Sequence, residues 1–262
     1  MRLQSILQRT WTELRGQRPP PVPPGWDVAP PNFVGVGTQR SGTTWWYEIV
    51  SAHPGAQPAP HKELHYLHRF WRRPFTDADA HAYARFFPRP PGRLTGEWSP
   101  GYLSHFWIPP LLQRAAPDAR LLVLLRDPVE RYRSGLALQL ETSRPSAAHA
   151  SRAFRLGCYA SQLEHLFGYF SPEQVLILQF ERCLGDAKAE LARTYRFLGL
   201  DDGFVPVDVS TARNASNARK PELTPDVHAA LIAAYEPEVR RLPSLVPDLD
   251  LALWRNFADI RR

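Results

Sequence analysis

Eight residues constrain this chain more than any other stretch: Gly37-Thr-Gln-Arg-Ser-Gly-Thr-Thr44. They follow the apolar run Phe33-Val-Gly-Val36, which reads as a buried strand, and they open the segment 43–52, which reads as a helix. A strand, a glycine turn and a helix N-terminus in that order aim backbone N–H groups at one point and form a cradle for an anion. Two more apolar runs, Arg120-Leu-Leu-Val-Leu-Leu125 and Gln174-Val-Leu-Ile-Leu-Gln-Phe180, supply strands of the same kind. Helical periodicity follows at 128–141, entered through Pro128, at 157–170, and at 187–198, where Gly199 stops it. Continuous apolar strands alternating with helices predict an α/β fold whose central parallel sheet is covered on both faces. Ligands in such sheets bind beyond the carboxyl ends of the strands, so the loops at 37–43 and 126–134 are the places to search.

Composition closes off other classes. With 44% apolar and 11% aromatic residues, a chain of 262 residues has ample material for a core, and disorder as the whole account is excluded. One domain, 32–262, is expected behind a leader and Pro-rich linker at 1–31. In that leader, Leu3, Ile6, Leu7 and Trp11 give a short amphipathic helix over 1–18, docked on the domain or on a membrane surface, before the prolines at 19–24 forbid continuation. No apolar run reaches the roughly 18 residues of a membrane span and no signal-peptide core is present, so a soluble cytoplasmic protein is expected. Cys158 and Cys183 are too few for a disulfide framework and read as buried thiols. The 32 basic residues outnumber the 26 acidic ones without forming a run, which gives no basis for nucleic-acid binding. Only Lys62, Lys188 and Lys220 among them are lysines. Genomic base composition explains that bias, and so does a preference for guanidinium forks that grip phosphate or sulfate.

The first loop departs from the nucleoside-triphosphate pattern G-x4-G-K-[ST], because Thr43 stands where the lysine is needed, and ATP or GTP hydrolysis is disfavoured. Its cation is Arg40, and the hydroxyls of Thr43 and Thr44 follow. A plain strand-to-helix turn capped by a hydroxyl is the structural alternative. The second loop delivers Arg126-Asp-Pro128 from a strand end, then Arg131, Arg133 and Ser134 one helical turn on. A guanidinium at Arg126 and a hydroxyl at Ser134 suit one phosphate, so two separated anion sites are implied, and a nucleotide with phosphates at both ends of its ribose would satisfy both loops at once.

Thr38-Gln-Arg-Ser-Gly-Thr-Thr44 resembles the 5′-phosphosulfate loop of sulfotransferases that use 3′-phosphoadenosine 5′-phosphosulfate (PAPS), and Arg126-Asp-Pro-Val-Glu-Arg-Tyr-Arg-Ser134 resembles their 3′-phosphate motif. His61-Lys-Glu-Leu-His-Tyr66, Gly96-Glu-Trp-Ser-Pro-Gly-Tyr102 and the block from Gly157-Cys-Tyr-Ala-Ser-Gln-Leu163 to Phe197-Leu-Gly-Leu200 are similar to the heparan sulfate, or carbohydrate, branch. The resemblance implies a three-layer α/β sandwich and transfer of a sulfuryl group to a hydroxyl or amine, a carbohydrate or glycosylated metabolite being the favoured acceptor. It also implies that Gln39, Arg40, Ser41, Gly42, Thr43, Thr44, Arg126 and Ser134 bind the donor nucleotide. Glu63 becomes the base, with Arg40 and Lys62 completing the catalytic set. Two departures stand out: Arg40 occupies a position where the family usually has lysine, and the closing Lys-Gly-Arg loop is replaced by Arg219 and Lys220, with Asn214 and Ser216 upstream.

Sulfuryl transfer needs a proton acceptor and fixed positive charge, so no metal is expected. His61, His65 and His68 do not have metalloprotease spacing around Glu63, although one of them is an alternative base. Glu97 is expected to support the site or to be a buried carboxylate paired with an arginine. Trp45, Trp46, Trp71, Trp98 and Trp107 are core candidates by default, and sugar rings also stack on indoles. Two other functions stay open: a P-loop kinase using Asp127 as a metal carboxylate, and a non-catalytic module for a nucleotide or sulfated glycan.

Overall fold

The computed structural model describes residues 18–142, 146–207, 209 and 220–260. The leader helix expected over 1–18 therefore lies, Arg18 apart, outside the described residues, as do Asn214, Ser216 and Arg219.

Seven strands are described: β1 (Asp27–Val28), β2 (Phe33–Gly37), β3 (Ala56–Pro58), β4 (Pro88–Arg89), β5 (Leu94–Trp98), β6 (Arg120–Leu125) and β7 (Val175–Gln179). Five form an all-parallel sheet in the order β3-β5-β2-β6-β7, and β1 pairs antiparallel with β4 in a separate ribbon. Nine helices accompany them among the described residues: α1 (Thr43–Ser51), α2 (Asp77–Ala84), α3 (Ile108–Ala115), α4 (Pro128–Thr142), α5 (Ala147–Arg155), α6 (Tyr159–Phe167), α7 (Phe180–Gly185), α8 (Ala187–Leu198) and α9 (Pro225–Leu245).

The period of two in a strand explains the three layers. Along β6, Leu121, Val123 and Leu125 face one core with Val34, Val36, Val175 and Ile177, packed under Leu163 of α6 and Tyr235 of α9. Leu122 and Leu124 face the other with Phe33, Leu176 and Leu178, packed under Trp45 and Trp46 of α1 and Leu191 and Tyr195 of α8. Leu121 through Leu125 are all fully buried, so truncating any one of the four leucines to Ala costs about 2–5 kcal/mol.

Most elements read from the sequence stand where expected, including α8, which ends at Gly199 in the left-handed conformation. The helix read at 157–170 is shorter, ending at Phe167, and α5 precedes it, with a turn at 156–158 between the two. Strands β3 and β5 were not legible: β3 has three residues and ends on Pro58, and β5 interrupts its apolar residues with Thr95, Gly96 and Glu97. Helix α9 hides behind Pro237 and Pro243, which lie inside it.

The strand order sets the site. From β2 the chain leaves toward the β3 edge, whereas from β6 it leaves toward β7, so the connections diverge between these adjacent strands. A crevice opens at such a switch point, beyond the carboxyl ends of β2 and β6.

Candidate functional site

Each side of the crevice is one of the loops singled out in the sequence. After β2, the Thr38 amide donates to the Leu124 carbonyl at 3.1 Å, and its hydroxyl donates to the same oxygen at 2.9 Å. Thr38 and Ser41 also share a hydroxyl bond of 2.6 Å, both fully buried. Ser41 therefore builds the loop with its side chain, and only its backbone N–H is left to meet a ligand. Arg40 takes a left-handed backbone, φ 70°, and so does Gly42, φ 85°, at the N-cap of α1. No side chain caps this helix, which leaves the first-turn N–H groups of a nine-residue helix directed at the crevice. Gly42 is required twice over, by its φ and because a Cβ there would lie 2.5 Å from the Phe180 ring. Thr43 is buried and Thr44 half-buried on that first turn, and Gln39 lies half-buried at the outer edge of the loop.

The second loop locks onto the first. Arg40 donates through Nε to the Ser134 hydroxyl at 3.1 Å, and Arg126 donates through Nη1 to the Arg40 carbonyl at 3.0 Å. Arg40, Arg126 and Ser134, read from two segments 86 to 94 residues apart, thus converge on one place. The Tyr159 hydroxyl holds the Arg126 carbonyl at 2.9 Å, and the Arg126 guanidinium sits 4.9 Å from the centre of the Phe180 ring. Burial lowers the proton affinity of Arg126, partly offset by Glu181 and Glu130, and it forms no ion pair among the described residues. A desolvated guanidinium of this kind gains strongly from an anion. Phe180, which packs on both Gly42 and Arg126, is a site residue that sequence reasoning missed.

Asp127 is occupied differently from a metal ligand. One oxygen accepts from the Val129 and Glu130 amides at the start of α4, at 2.9 and 3.2 Å, and the other accepts from the backbone and side chain of Asn256. That removes the role the kinase reading needed from it. No cluster of three or more His, Cys, Asp or Glu side chains suited to a metal occurs among the described residues. One turn into α4, Glu130 gathers Arg133 at 2.9 Å, Lys220 at 2.9 Å and Arg255. Burial opposes its charge, but Lys220, Arg133 and Arg255 outweigh that and hold its carboxyl down at about 2. Lys220 thereby reaches the first turns of α4, beside Ser134.

The third wall is the segment 61–65. Lys62 Nζ lies 2.6 Å from Glu63 Oε1, and His65 Nε2 lies 3.1 Å from Glu63 Oε2. Burial works against the charge on Glu63, yet hydrogen bonds from His65 and Lys62 and the charges behind them hold it down at about 2. His61 lies half-buried at the start of the segment.

Glu97, at the carboxyl end of β5, anchors that wall. Fully buried, it accepts from the Tyr83 hydroxyl at 2.6 Å and Tyr102 at 3.1 Å on one oxygen, and from Ser99 at 2.5 Å and the Leu64 amide at 3.1 Å on the other. Burial raises its pKa and the hydrogen bonds oppose the rise. The arginine partner anticipated for it is absent among the described residues; four neutral donors take its place. Because the Ser99 hydroxyl also accepts from the His65 amide at 2.9 Å, and the Trp98 amide donates to the Lys62 carbonyl at 2.9 Å, this network sets the path of 62–65.

Beside the first turn of α1 lies a cavity of about 580 Å³, lined by Trp45, Cys183, Lys188, Val205 and Val207 among others. Trp45 is 1% exposed and its Nε1 has no hydrogen-bond partner among the described residues. The indole expected to serve as core therefore also walls a space next to the loop. Cys183 is the buried thiol foreseen, whereas Cys158 is only half-buried.

The model of the sulfotransferase domain family matches residues 30–228. Heparan sulfate glucosamine 3-O-sulfotransferase 6 of Homo sapiens is 29% identical over 185 residues, 65% of this chain and 52% of that protein. Heparan sulfate glucosamine 3-O-sulfotransferase 3B1 of Homo sapiens is 29% identical over 187 residues, 65% of this chain and 46% of its own length. The chain thus spans about half the length of these curated relatives. Among solved structures, a sulfotransferase from Alicyclobacillus acidocaldarius matches with TM-score 0.72 and 29% identity, covering 87% of this chain and all of that one. The sulfotransferase domain of the Synechococcus PCC 7002 olefin synthase shares the fold, with TM-score 0.53 and 19% identity over 77% of this chain and 85% of that chain.

Proposed function

Because the chain belongs to the sulfotransferase domain family, we propose that it moves the sulfuryl group of PAPS to a hydroxyl or amine of an acceptor, a carbohydrate or glycosylated metabolite. The observation that carries the reading is the convergence of Arg40, Arg126 and Ser134 on the switch-point crevice, with an uncapped helix N-terminus at its floor. In this reading Gln39, Arg40, Gly42, Thr43 and Thr44 hold the 5′ end of the donor and neutralise the leaving phosphate. Arg126 and Ser134 hold its 3′-phosphate, Lys220 closes over it, and the cavity at Trp45 receives the base. PAPS supplies the activated sulfuryl group; the fixed cations stand where another enzyme would use a metal.

Glu63, with Lys62 beside it, takes the acceptor proton. A carboxylate held at about 2 is a weak base, so it draws the proton only as the new S–O bond makes that proton acidic. The 3.1 Å contact between Glu63 and His65 supports a second assignment, in which the imidazole takes the proton and Glu63 orients it. A soluble cytoplasmic setting is part of the proposal; no helix among the described residues is long and apolar enough to cross a membrane.

The test is an acceptor screen with radiolabelled PAPS, in EDTA-containing buffer, alongside melting curves. Adenosine 3′,5′-bisphosphate should raise the melting temperature well beyond ATP, since a ligand of the native state stabilises by RT ln(1 + [L]/Kd). Equal stabilisation by the two nucleotides, or activity that requires added Mg²⁺, would count against the donor assignment.

A further inference from the structure

A chain of five aromatic rings leads from the candidate base to the surface. His65 packs edge-on against His68, centroids 5.0 Å apart at 78°; His68 against His105, 4.6 Å at 81°; His105 against Trp107, 4.7 Å at 73°; and Trp107 against Phe106, 5.3 Å at 87°. The inner end touches Glu63 through His65. It also borders the loop after β2, because a Cβ on Gly101 would lie 3.0 Å from His68 Nε2 and 3.4 Å from the Gln39 amide nitrogen. The outer end is held in place: His105 Nδ1 bonds the Gly101 carbonyl at 2.5 Å, and His165 Nε2 bonds the Phe106 carbonyl at 2.7 Å. Four of the rings are partly exposed, and Phe106 is 74% exposed.

The strip carries little charge. Burial, with His105 and His65 alongside, brings His68 down to about 3, and burial lowers His105 as well, so both imidazoles are neutral at pH 7. The buried Nδ1 atoms of His65 and His68 and Nε1 of Trp107 have no hydrogen-bond partner among the described residues. Lys62 is engaged by Glu63, and Arg152 is the cation felt by His68 and His105. A densely anionic acceptor would find few charge partners along this path, whereas the C–H face of a sugar ring suits it.

We propose that this ring strip is the acceptor subsite and that it takes an uncharged oligosaccharide, one pyranose ring stacked on Phe106 and the next directed along the strip toward Glu63 and His65. The assignment rests on the sulfuryl-transfer reading above. The test is saturation-transfer NMR on the full chain loaded with adenosine 3′,5′-bisphosphate, using cellobiose, maltose and trehalose as probes, with heparin and p-nitrophenol as the anionic and phenolic arms. At least one neutral disaccharide should receive saturation at its ring C–H protons. Phe106→Ala should weaken that sugar about five- to tenfold, the range of one lost aromatic contact, leaving bisphosphate affinity and melting temperature unchanged, and Phe106→Trp should restore binding. No saturation transfer to any of the three sugars, an effect insensitive to Phe106→Ala, or binding confined to heparin or to p-nitrophenol would overturn the proposal. Failure of the bisphosphate to raise the melting temperature would instead overturn the donor reading on which it stands.

Discussion

Replacing Arg126 with Ala separates a phosphate contact from a scaffold contact. Two losses are expected. The bond from Arg126 Nη1 to the Arg40 carbonyl disappears, which costs about 0.5–1.5 kcal/mol and loosens the loop for every ligand alike. The charge-assisted bond to a 3′-phosphate disappears as well, on a scale of about 1.5–3 kcal/mol. Because the guanidinium is buried, pays for its desolvation and has no carboxylate partner among the described residues, the upper half of that range applies. This corresponds to a roughly 40- to 140-fold rise in Kd. Titration calorimetry of wild type and variant with adenosine 3′,5′-bisphosphate and with adenosine 5′-monophosphate isolates the second term, since only the first ligand carries the 3′-phosphate. The bisphosphate should lose about that factor more than the monophosphate. An equal loss for both ligands would show that Arg126 only supports the loop, and the 3′-phosphate assignment would fall.

Glu63→Gln should lower kcat by about 10²–10⁴-fold while bisphosphate affinity stays unchanged, because the nucleotide loops are elsewhere; a near-wild-type kcat, with His65→Asn showing that loss instead and its residual activity lacking the acid limb, would move the base to His65. With the Glu63 carboxyl held at about 2, any fall of wild-type kcat between pH 5 and 7 belongs to another group and should persist in Glu63→Gln. Glu97→Gln puts an amide among four donors and should cost about 1–3 kcal/mol, seen as a melting temperature lower by several degrees together with reduced kcat; unchanged stability would mean that the network does not hold the 62–65 segment. Glu130 is depressed from the usual 4.5 to about 2, so its ion pairs stabilise fully above pH 4.5 and are lost as pH falls through about 2. Melting curves over that window should therefore be less steep in pH for Glu130→Gln than for wild type, and parallel curves would contradict the assignment.

The sequence by itself determined the two loops that flank the crevice. Thr38 to Thr44 and Arg126 to Ser134 are contiguous, each directly follows an apolar strand, and the geometry of a strand passing into a helix N-terminus is local, so their chemistry was readable without the fold. Part of the sheet followed for the same reason, since the apolar run Leu121–Leu125 within β6 reads as a strand buried on both faces, whereas β3 and β5 left no such trace. What tertiary structure decided lies in contacts that leave no local trace. Glu97 meets Leu64 across 33 residues, Lys220 meets Glu130 across 90, and Phe180 comes against Gly42 and Arg126 from a third segment. The arginine partner that was one alternative for Glu97 gave way to tyrosine and serine hydroxyls, because the fold brings those side chains, and no cation among the described residues, to its buried oxygens. The ring strip from His65 to Phe106 likewise exists only because the turn at 66–71 packs against α3; in the linear chain its halves are separate runs with no periodicity to join them. Local backbone geometry is encoded by neighbours in sequence, whereas the partner of a buried polar group is chosen by whatever the packed layers place within hydrogen-bond reach.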